Sequence, residues 1–272
     1  MPRSARHDSL EPIAQGLSEP GSEAFDKTLA LLRQSPSAEL HEVFTALLDD
    51  PDPPVALGVI QAVGRLQYKD GVDLLVSLVE EPGKWFSRED RARIRLASVE
   101  CLGLIADNRG VGVLLDIVFD SHDFELRLEA IRSLGRIGSL RCVSPLIEAM
   151  ISHPPLALSA AGALAQIGGK EAFRGLVASL KHEDEMVRSA SVWALGTLGD
   201  DRAVEPLLEL TGEADALLRQ DIAWALGQIG GLPARIALGV LCQRDPDFSV
   251  RREAARAIQS GAVTGGVGRE PE

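Results

Sequence analysis

The feature that most constrains the fold of this chain is an internal repeat of about 31 residues. The segment VRSASVWALGTLG, residues 187–199, recurs with the same placement of small and aliphatic residues. The copies begin at Val55, Ile94, Leu126, Leu156, Val187, Leu218 and Val250, so successive starts are 39, 32, 30, 31, 31 and 32 residues apart. A period of this length is typical of solenoids, in which each repeat buries its apolar face against its neighbours.

Each copy carries the pattern of an amphipathic helix. With the first aliphatic residue as position 0, apolar or small residues occupy positions 0, 3 or 4, 7, 8 and 11, and no alternation of period two is present. A second apolar stretch follows after a turn, as in residues 203–210. Asp lies three residues before position 0, where it can cap the helix, at Asp52, Asp123, Asp184, Asp215 and Asp247. Each repeat is therefore predicted to be a helix, a turn and an antiparallel helix.

The repeats also predict how the chain is divided. Residues 1–22, which contain Pro2, Pro12 and Pro20 among polar residues, are expected to form a loose N-terminal arm. Residues 23–260 are expected to form the repeat array, and residues 261–272, rich in Gly and charge, a disordered C-terminal tail.

The pattern VRxxAxxALGxLGDxxAVxxLxxL resembles the HEAT-like repeats of the phycobilisome-lyase type over about residues 52–260. The resemblance implies an all-α, right-handed α-solenoid of about eight antiparallel helix pairs, with the first helix of each pair lining a concave groove. It also implies that the Arg at position 1 pairs with a turn Asp of a neighbouring repeat. This Arg is present as Arg95, Arg127, Arg188, Arg219 and Arg251.

The candidate functional surface is the groove-facing side of the first helices, at positions 2, 5 and 6. Position 2 is Leu in four successive copies, and position 6 holds Trp193 and Trp224 in adjacent copies. Exposed apolar strips mark contact surfaces, and Trp and Arg are enriched at interface hot spots. The predicted partner-binding residues are Leu128, Ile131, Arg132, Leu158, Val192, Trp193, Gln220, Trp224 and Arg256. The alternative is that these side chains complete packing between adjacent helices.

An insertion of about eight residues within residues 80–90 supplies a second candidate. Trp85 and Phe86 lie in it and are expected to be exposed at the edge of the array, as a further contact or a lid. A local hydrophobic plug is the equal alternative.

Composition limits the classes of partner. The 272 residues carry a formal net charge of −12, which disfavours non-specific binding to phosphate backbones. Arginines on the groove-side helices leave an acidic peptide and, as the alternative, a nucleic acid as candidate ligands. Runs of about 20 apolar residues and a secretory apolar region are missing, so no membrane span and a cytoplasmic location are predicted.

Catalytic and metal chemistry are not predicted. His41–Glu42 and His182–Glu183 fall away from the helix positions that hold two irons in HEAT-like deoxyhypusine hydroxylases. Cys101, Cys142 and Cys242 form no CxxC spacing and are expected to be buried thiols. We therefore predict a noncatalytic protein-binding scaffold or adaptor without cofactor or metal. The alternative is an accessory subunit of a bilin lyase, or a related cofactor-loading chaperone, with a bilin as ligand.

Overall fold

The computed structural model describes residues 3–48, 52–212 and 215–264. Its regular structure in those ranges is helical, with sixteen α-helices and five short 3-10 turns. The α-helices are α1 (Arg3–Leu17), α2 (Glu23–Leu32), α3 (Ser37–Leu48), α4 (Pro53–Arg65), α5 (Val72–Glu80), α6 (Arg88–Ile105), α7 (Val111–Asp120), α8 (Phe124–Ile137), α9 (Val143–Ser152), α10 (Ala157–Ile167), α11 (Gly169–Ser179), α12 (Glu185–Leu198), α13 (Val204–Leu210), α14 (Ala216–Ile229), α15 (Gly231–Arg244) and α16 (Phe248–Thr264). The predicted all-α solenoid is thus confirmed as the fold class.

The helix pairs follow the repeat. The even-numbered helices from α4 to α16 are the first helices of successive copies, and α5, α7, α9, α11, α13 and α15 are the second helices. The predicted caps are confirmed at four first helices: the carboxylates of Asp123, Asp184, Asp215 and Asp247 accept the N–H groups of Leu126, Met186, Leu218 and Ser249. The fifth is wrong, because the Asp52 side chain makes no cap hydrogen bond at α4. The last copy consists of α16 alone within the described residues.

The chain forms two compact units, residues 1–139 and 140–272. In the first unit, α4, α6 and α8 pack side by side, and α5 and α7 each pack against the first helix of the following repeat. In the second unit, α10, α12, α14 and α16 pack in the same way.

The glycine at position 9 lets neighbouring first helices approach closely. A Cβ on Gly103 would lie 2.7 Å from Ser133 Cα, and one on Gly196 would lie 2.8 Å from Ala225 Cα. Gly64 and Gly227 meet position 7 of the next repeat in the same manner, at 2.8 Å from Cys101 Sγ and 2.7 Å from Ala257 Cβ. Glycine at position 9 of these four helices is therefore a packing requirement, because a side chain there would push the next first helix away. Helix α10 differs, since it carries Ala165 at this position.

The arginines at position 1 are structural, but most of them do not pair with Asp as the resemblance implied. Arg95 Nε donates to the Val79 carbonyl, and Arg127 Nε donates to the Val118 carbonyl. Both carbonyls lie near the end of the preceding second helix. Arg188 donates to the carbonyls of His182 and Glu183, and Arg251 to those of Asp245 and Pro246. Helix ends and turns leave carbonyls without backbone partners, and a guanidinium can satisfy two at once. Of these five arginines, Arg219 makes the carboxylate pair, with Asp245.

The predicted loose arm is wrong for residues 3–17, which form α1. Leu17, at its end, is fully buried, and a Cβ on Gly58 of α4 would overlap the Leu17 carbonyl oxygen. Helix α1 packs against α4 and so covers apolar surface on that side of α4. At the other end, α16 continues to Thr264, past the predicted limit at residue 260. The rest of the predicted tail, residues 265–272, lies outside the described residues.

Candidate functional site

Exposed apolar side chains lie on one side of three first helices in the second unit. We call this set the tryptophan surface and define it as Leu158 of α10, Met186 and Trp193 of α12, and Leu217 and Trp224 of α14. Leu158 is 60% exposed, Met186 53%, Trp193 37% and Leu217 69%, and Trp224 is half-buried. Large apolar side chains exposed in this number at matching repeat positions are typical of an interaction patch rather than of isolated exposures.

Each indole lies against the first helix of the preceding repeat: Trp193 against α10 and Trp224 against α12. A Cβ on Gly162 would lie 3.5 Å from Trp193 Cζ3 and 3.7 Å from its Cη2. A Cβ on Gly196 would lie 3.0 Å from Trp224 Cζ3. The packing alternative therefore accounts for one side of each ring. The remaining surface of each ring, larger for Trp193, is open to a partner.

Sequence reasoning missed Met186 and Leu217, which both occupy position −1. This position is seven residues, about two helical turns, before position 6, so the two positions share a helix face. The helical period is the signal that places position −1 on this face, although the position lies in the capped first turn of the helix.

Two predicted partner-binding residues are not accessible, and this part of the prediction is wrong. Ile131 and Val192, both at position 5, are 0% exposed. Position 5 faces the next first helix: the Val99 carbonyl at position 5 of α6 accepts a 2.9 Å hydrogen bond from Ser133 Oγ of α8. A side chain at this position packs between repeats and cannot contact a partner.

The first unit holds the other predicted members of the strip. Leu128 is half-buried and Arg132 is exposed on α8. A separate pocket of about 510 Å³ lies between α4 and α6, and its apolar lining includes Pro53, Leu57 and Leu96. The leucine row at position 2 thus faces solvent within this unit as predicted.

Arginines on these faces are paired with acids at position 3 of the same helix. Glu129 binds Arg132 at 3.1 Å and Arg136 at 2.8 Å, and Glu253 lies 3.7 Å from Arg256. Glu129 offsets one of the two positive charges beside it, and Glu253 offsets that of Arg256. This arrangement does not provide the dense, unpaired basic surface that phosphate backbones require.

Polar groups lie between the apolar residues of the tryptophan surface. Ser189 and Gln220, at position 2 of α12 and α14, are half-buried. The pKa of Asp221 is raised, because burial disfavours its charged form more than a hydrogen bond with Ser189 favours it; Asp215 and Glu185 raise it further. These groups can donate and accept hydrogen bonds beside the apolar contacts.

The two aromatic residues of the insertion have different environments. Trp85 is exposed, as predicted, whereas Phe86 is buried and was wrongly expected to be exposed. Phe86 lies against Gly83, which has a φ of +94°, and a Cβ there would lie 2.9 Å from Phe86 Cδ2. Phe86 is the hydrophobic plug of the alternative interpretation, and Trp85, with its ring centroid 6.0 Å from that of Phe86, lies outside it.

Two of the cysteine thiols are buried, and the His182 imidazole takes part in a turn. Cys101 and Cys142 are buried, and burial raises the pKa of the Cys101 thiol to about 12. Cys101 Sγ donates to the Ile60 carbonyl at 3.3 Å. His182 Nδ1 accepts the Asp184 N–H at 3.1 Å. Within the described ranges, no three His, Cys, Asp or Glu residues are grouped as metal ligands, and no helix has the length and apolarity to cross a membrane.

Comparison with known proteins identifies relatives of the fold. The sequence model of a family described as HEAT repeats matches residues 83–156, 143–227 and 176–259. No curated protein gives a significant match. Human deoxyhypusine hydroxylase in complex with glycerol is a similar solved structure, with 21% identity over 96% of this chain and 98% of the other, and a TM-score of 0.41.

Two further structures resemble the chain. One is the complex of CpcE and CpcF of phycocyanin lyase from a Nostoc species, with 20% identity, 84% and 95% coverage of the two chains, and a TM-score of 0.46. The other is a designed armadillo repeat protein in complex with the peptide (KR)4, with 17% identity, 92% and 98% coverage, and a TM-score of 0.35. At these identities the likeness concerns the fold alone.

Proposed function

Because the matched segments together span residues 83–259, more than half of the chain, the protein belongs to the HEAT-repeat family, and we propose that it is a noncatalytic, cytoplasmic scaffold or adaptor that binds a segment of a partner protein on the tryptophan surface. The observation that carries this proposal is the exposure of large apolar residues at the same two positions of adjacent helices: Met186 and Leu217 at position −1, Trp193 and Trp224 at position 6.

The dimensions of the surface favour a short segment as its ligand. Positions −1 and 6 are separated by seven residues, or about 10 Å along a helix, and adjacent helices pack about 8–10 Å apart. Four apolar contacts at these spacings match the side chains on one face of a two-turn helix or of a short extended segment.

The supporting residues favour specific recognition. One side of each indole lies against the preceding first helix, at Gly162 or Gly196, and this contact reduces the side-chain freedom that is lost when a partner covers the other side. Ser189, Gln220 and Asp221 supply polar groups among the apolar contacts, which can fix the orientation of a bound segment.

The other classes have less support. Buried Cys101 and Cys142 lend no support to covalent handling of a bilin, and the paired arginines lend none to nucleic-acid binding. Partner-protein binding therefore remains the function with a specific surface behind it.

Quantitative affinity capture from cell extract tests the proposal. The variant Trp193→Ala/Trp224→Ala is expected to lose at least tenfold of the partner captured by wild type while keeping its helical circular dichroism. Leu31→Ala is the matched control, because it removes an exposed apolar side chain from α2, outside the tryptophan surface. Equal capture by wild type and the double variant, with both folded, would refute the proposal.

A further inference from the structure

Helix α15 carries a second apolar stripe on its outward side. Leu232, Ile236 and Val240 are spaced four residues apart and are 72%, 61% and 51% exposed. They span about 12 Å along the helix. The opposite side, with buried Ala234, Ala237, Leu238 and Leu241, packs into the second unit. Both sides of α15 are therefore apolar, and its own unit covers one of them and leaves the other exposed.

The charges on α15 also differ from those of the other second helices. Each of the others exposes at least one carboxylate: Asp73 on α5, Asp116 on α7, Glu148 on α9, Glu171 on α11 and Glu205 on α13. α15 contains no Asp or Glu, and it exposes Arg235 and Arg244 on either side of the stripe. Neither arginine takes part in the ion pairs found across the described ranges. In a chain with a net charge of −12, this is a local reversal of sign.

Gly239 gives the stripe a notch. A Cβ added to Gly239 would have nothing within 4 Å, whereas Cβ atoms on Gly196 or Gly227 would meet a neighbouring helix. Packing among the described residues therefore does not require Gly239, and a glycine inside a helix lowers helix stability relative to Ala. By the helical period, it lies three residues from Ile236 and seven from Leu232, on the same side as those two residues. A glycine at such a place allows the backbone of an approaching helix to come close.

We propose that the α15 surface, defined as Leu232, Ile236, Gly239 and Val240, binds an amphipathic helix of a partner protein that carries carboxylates beside its apolar stripe. The apolar residues of that helix pack on the three aliphatic side chains, and a small residue opposes Gly239. Its carboxylates pair with Arg235 and Arg244 on the two flanks. Carboxylate partners suit these arginines because an Arg fork binds a carboxylate through two hydrogen bonds.

Charge and area disfavour a second copy of this chain as the occupant. An antiparallel pair of α15 helices centred on Ile236 would bring Arg235 close to the same arginine of the other copy. Three partly exposed aliphatic side chains also provide much less than the roughly 800 Å² per partner that stable dimers bury. A single helix of opposite charge fits the stripe better, as a small and transient interface.

A displayed library of helical peptides tests the charge requirement. The library keeps apolar residues at i, i+4 and i+8 and randomises the flanking positions among Glu, Lys, Gln and Ala. Peptides are selected on the full chain and counter-selected on its Ile236→Glu variant. The proposal predicts enrichment of Glu at the flanks and at least tenfold weaker binding to Arg235→Glu/Arg244→Glu. Enrichment of Lys, no preference at the flanks, or no peptide specific for wild type would overturn it.

Two further variants distinguish binding at the α15 surface from a folding defect and from binding at the tryptophan surface. Gly239→Leu is expected to keep or raise the melting temperature yet bind the selected peptides at least tenfold more weakly; unchanged affinity would overturn the role of the notch. Trp193→Ala/Trp224→Ala is expected to bind them like wild type, so failure of one surface leaves the other testable. A dimer in sedimentation velocity that Ile236→Glu dissociates would replace the partner helix by a second copy and overturn the proposal.

Discussion

Arg219 of α14 and Asp245 in the turn before α16 form a bidentate ion pair that joins two successive repeats. Arg219 Nε donates to Asp245 Oδ2 at 2.8 Å, and Nη2 donates to Oδ1 at 3.0 Å. The Asp245 carboxylate also accepts the Asp247 N–H, and its carbonyl accepts a hydrogen bond from Arg251. The side chains are 15% and 3% exposed. This pair therefore fixes the position of α16, the last helix, relative to α14.

Asp245→Ala is expected to destabilise the protein by about 3–5 kcal/mol, because it leaves a largely buried guanidinium without its carboxylate. Urea unfolding followed by circular dichroism measures the loss. Asp26→Ala is the control: its partner Arg65 lies 3.2 Å away in an exposed pair, so its cost is expected to stay below about 1 kcal/mol. Similar losses for the two variants would contradict the structural role of Arg219 and Asp245.

The same pair predicts a pH dependence of stability. The Arg219 side chain lowers the pKa of Asp245 below its ordinary value of 3.8, and the Asp247 N–H lowers it further, against the opposing effect of burial. An acid with a lowered folded-state pKa contributes stability above its unfolded pKa and loses it as pH falls through the folded pKa. The gap in unfolding free energy between wild type and Asp245→Asn is thus expected to be full above pH 4 and to shrink below it. A gap that is constant down to pH 2 would contradict this.

Substituting Ala for Gly196 and for Gly239 is expected to change the free energy of unfolding in opposite directions. Gly196→Ala places a Cβ 2.8 Å from Ala225 Cα and 3.0 Å from Trp224 Cζ3, so it should cost about 1–3 kcal/mol despite better helix propensity. Gly239→Ala meets nothing within 4 Å and should stabilise α15 by up to about 1 kcal/mol. Thermal melts of the two variants check both signs, and a stabilising Gly196→Ala would show that the helices are not in close contact there.

The cysteines should differ in reactivity in the native state. The buried Cys101 thiol has a pKa of about 12, so very little thiolate is present at pH 8, whereas Cys242 is half-buried. Iodoacetamide labelling with peptide mass spectrometry is expected to modify Cys242 first and Cys101 only after denaturation. Rapid modification of native Cys101 would contradict its burial and restore a reactive thiol to consideration.

Much of the fold could be predicted from the sequence because the repeat is local and nearly regular. The helical period, the Asp caps and the glycine at position 9 all act within one repeat or between neighbours, so the roles of Asp184 and Gly196 can be predicted from the sequence. Helix α1 could not be predicted in this way. It lies before the first copy and is held by the packing of Leu17 on α4, which has no counterpart in the repeat.

The candidate site could be predicted only in part. Trp193 and Leu158 are exposed as expected, because positions 2 and 6 lie opposite the core stripe. Ile131 and Val192 are buried because each first helix also packs against the next first helix, so the core wraps further round the helix than one stripe indicates. On the solvent-facing side, Met186 and Leu217 at position −1 are exposed instead.

The most direct test of the central claim is site-specific photocrosslinking. Thr197 is exposed at position 10 of α12, one turn beyond Trp193, and Glu205 is exposed on α13, a second helix. A photoreactive phenylalanine analogue is placed at one or the other position, and crosslinks to the captured partner are measured by mass spectrometry. Binding on the tryptophan surface predicts partner crosslinks from position 197 that disappear in the Trp193→Ala/Trp224→Ala background, and none from position 205. Partner crosslinks from position 205 alone would contradict it.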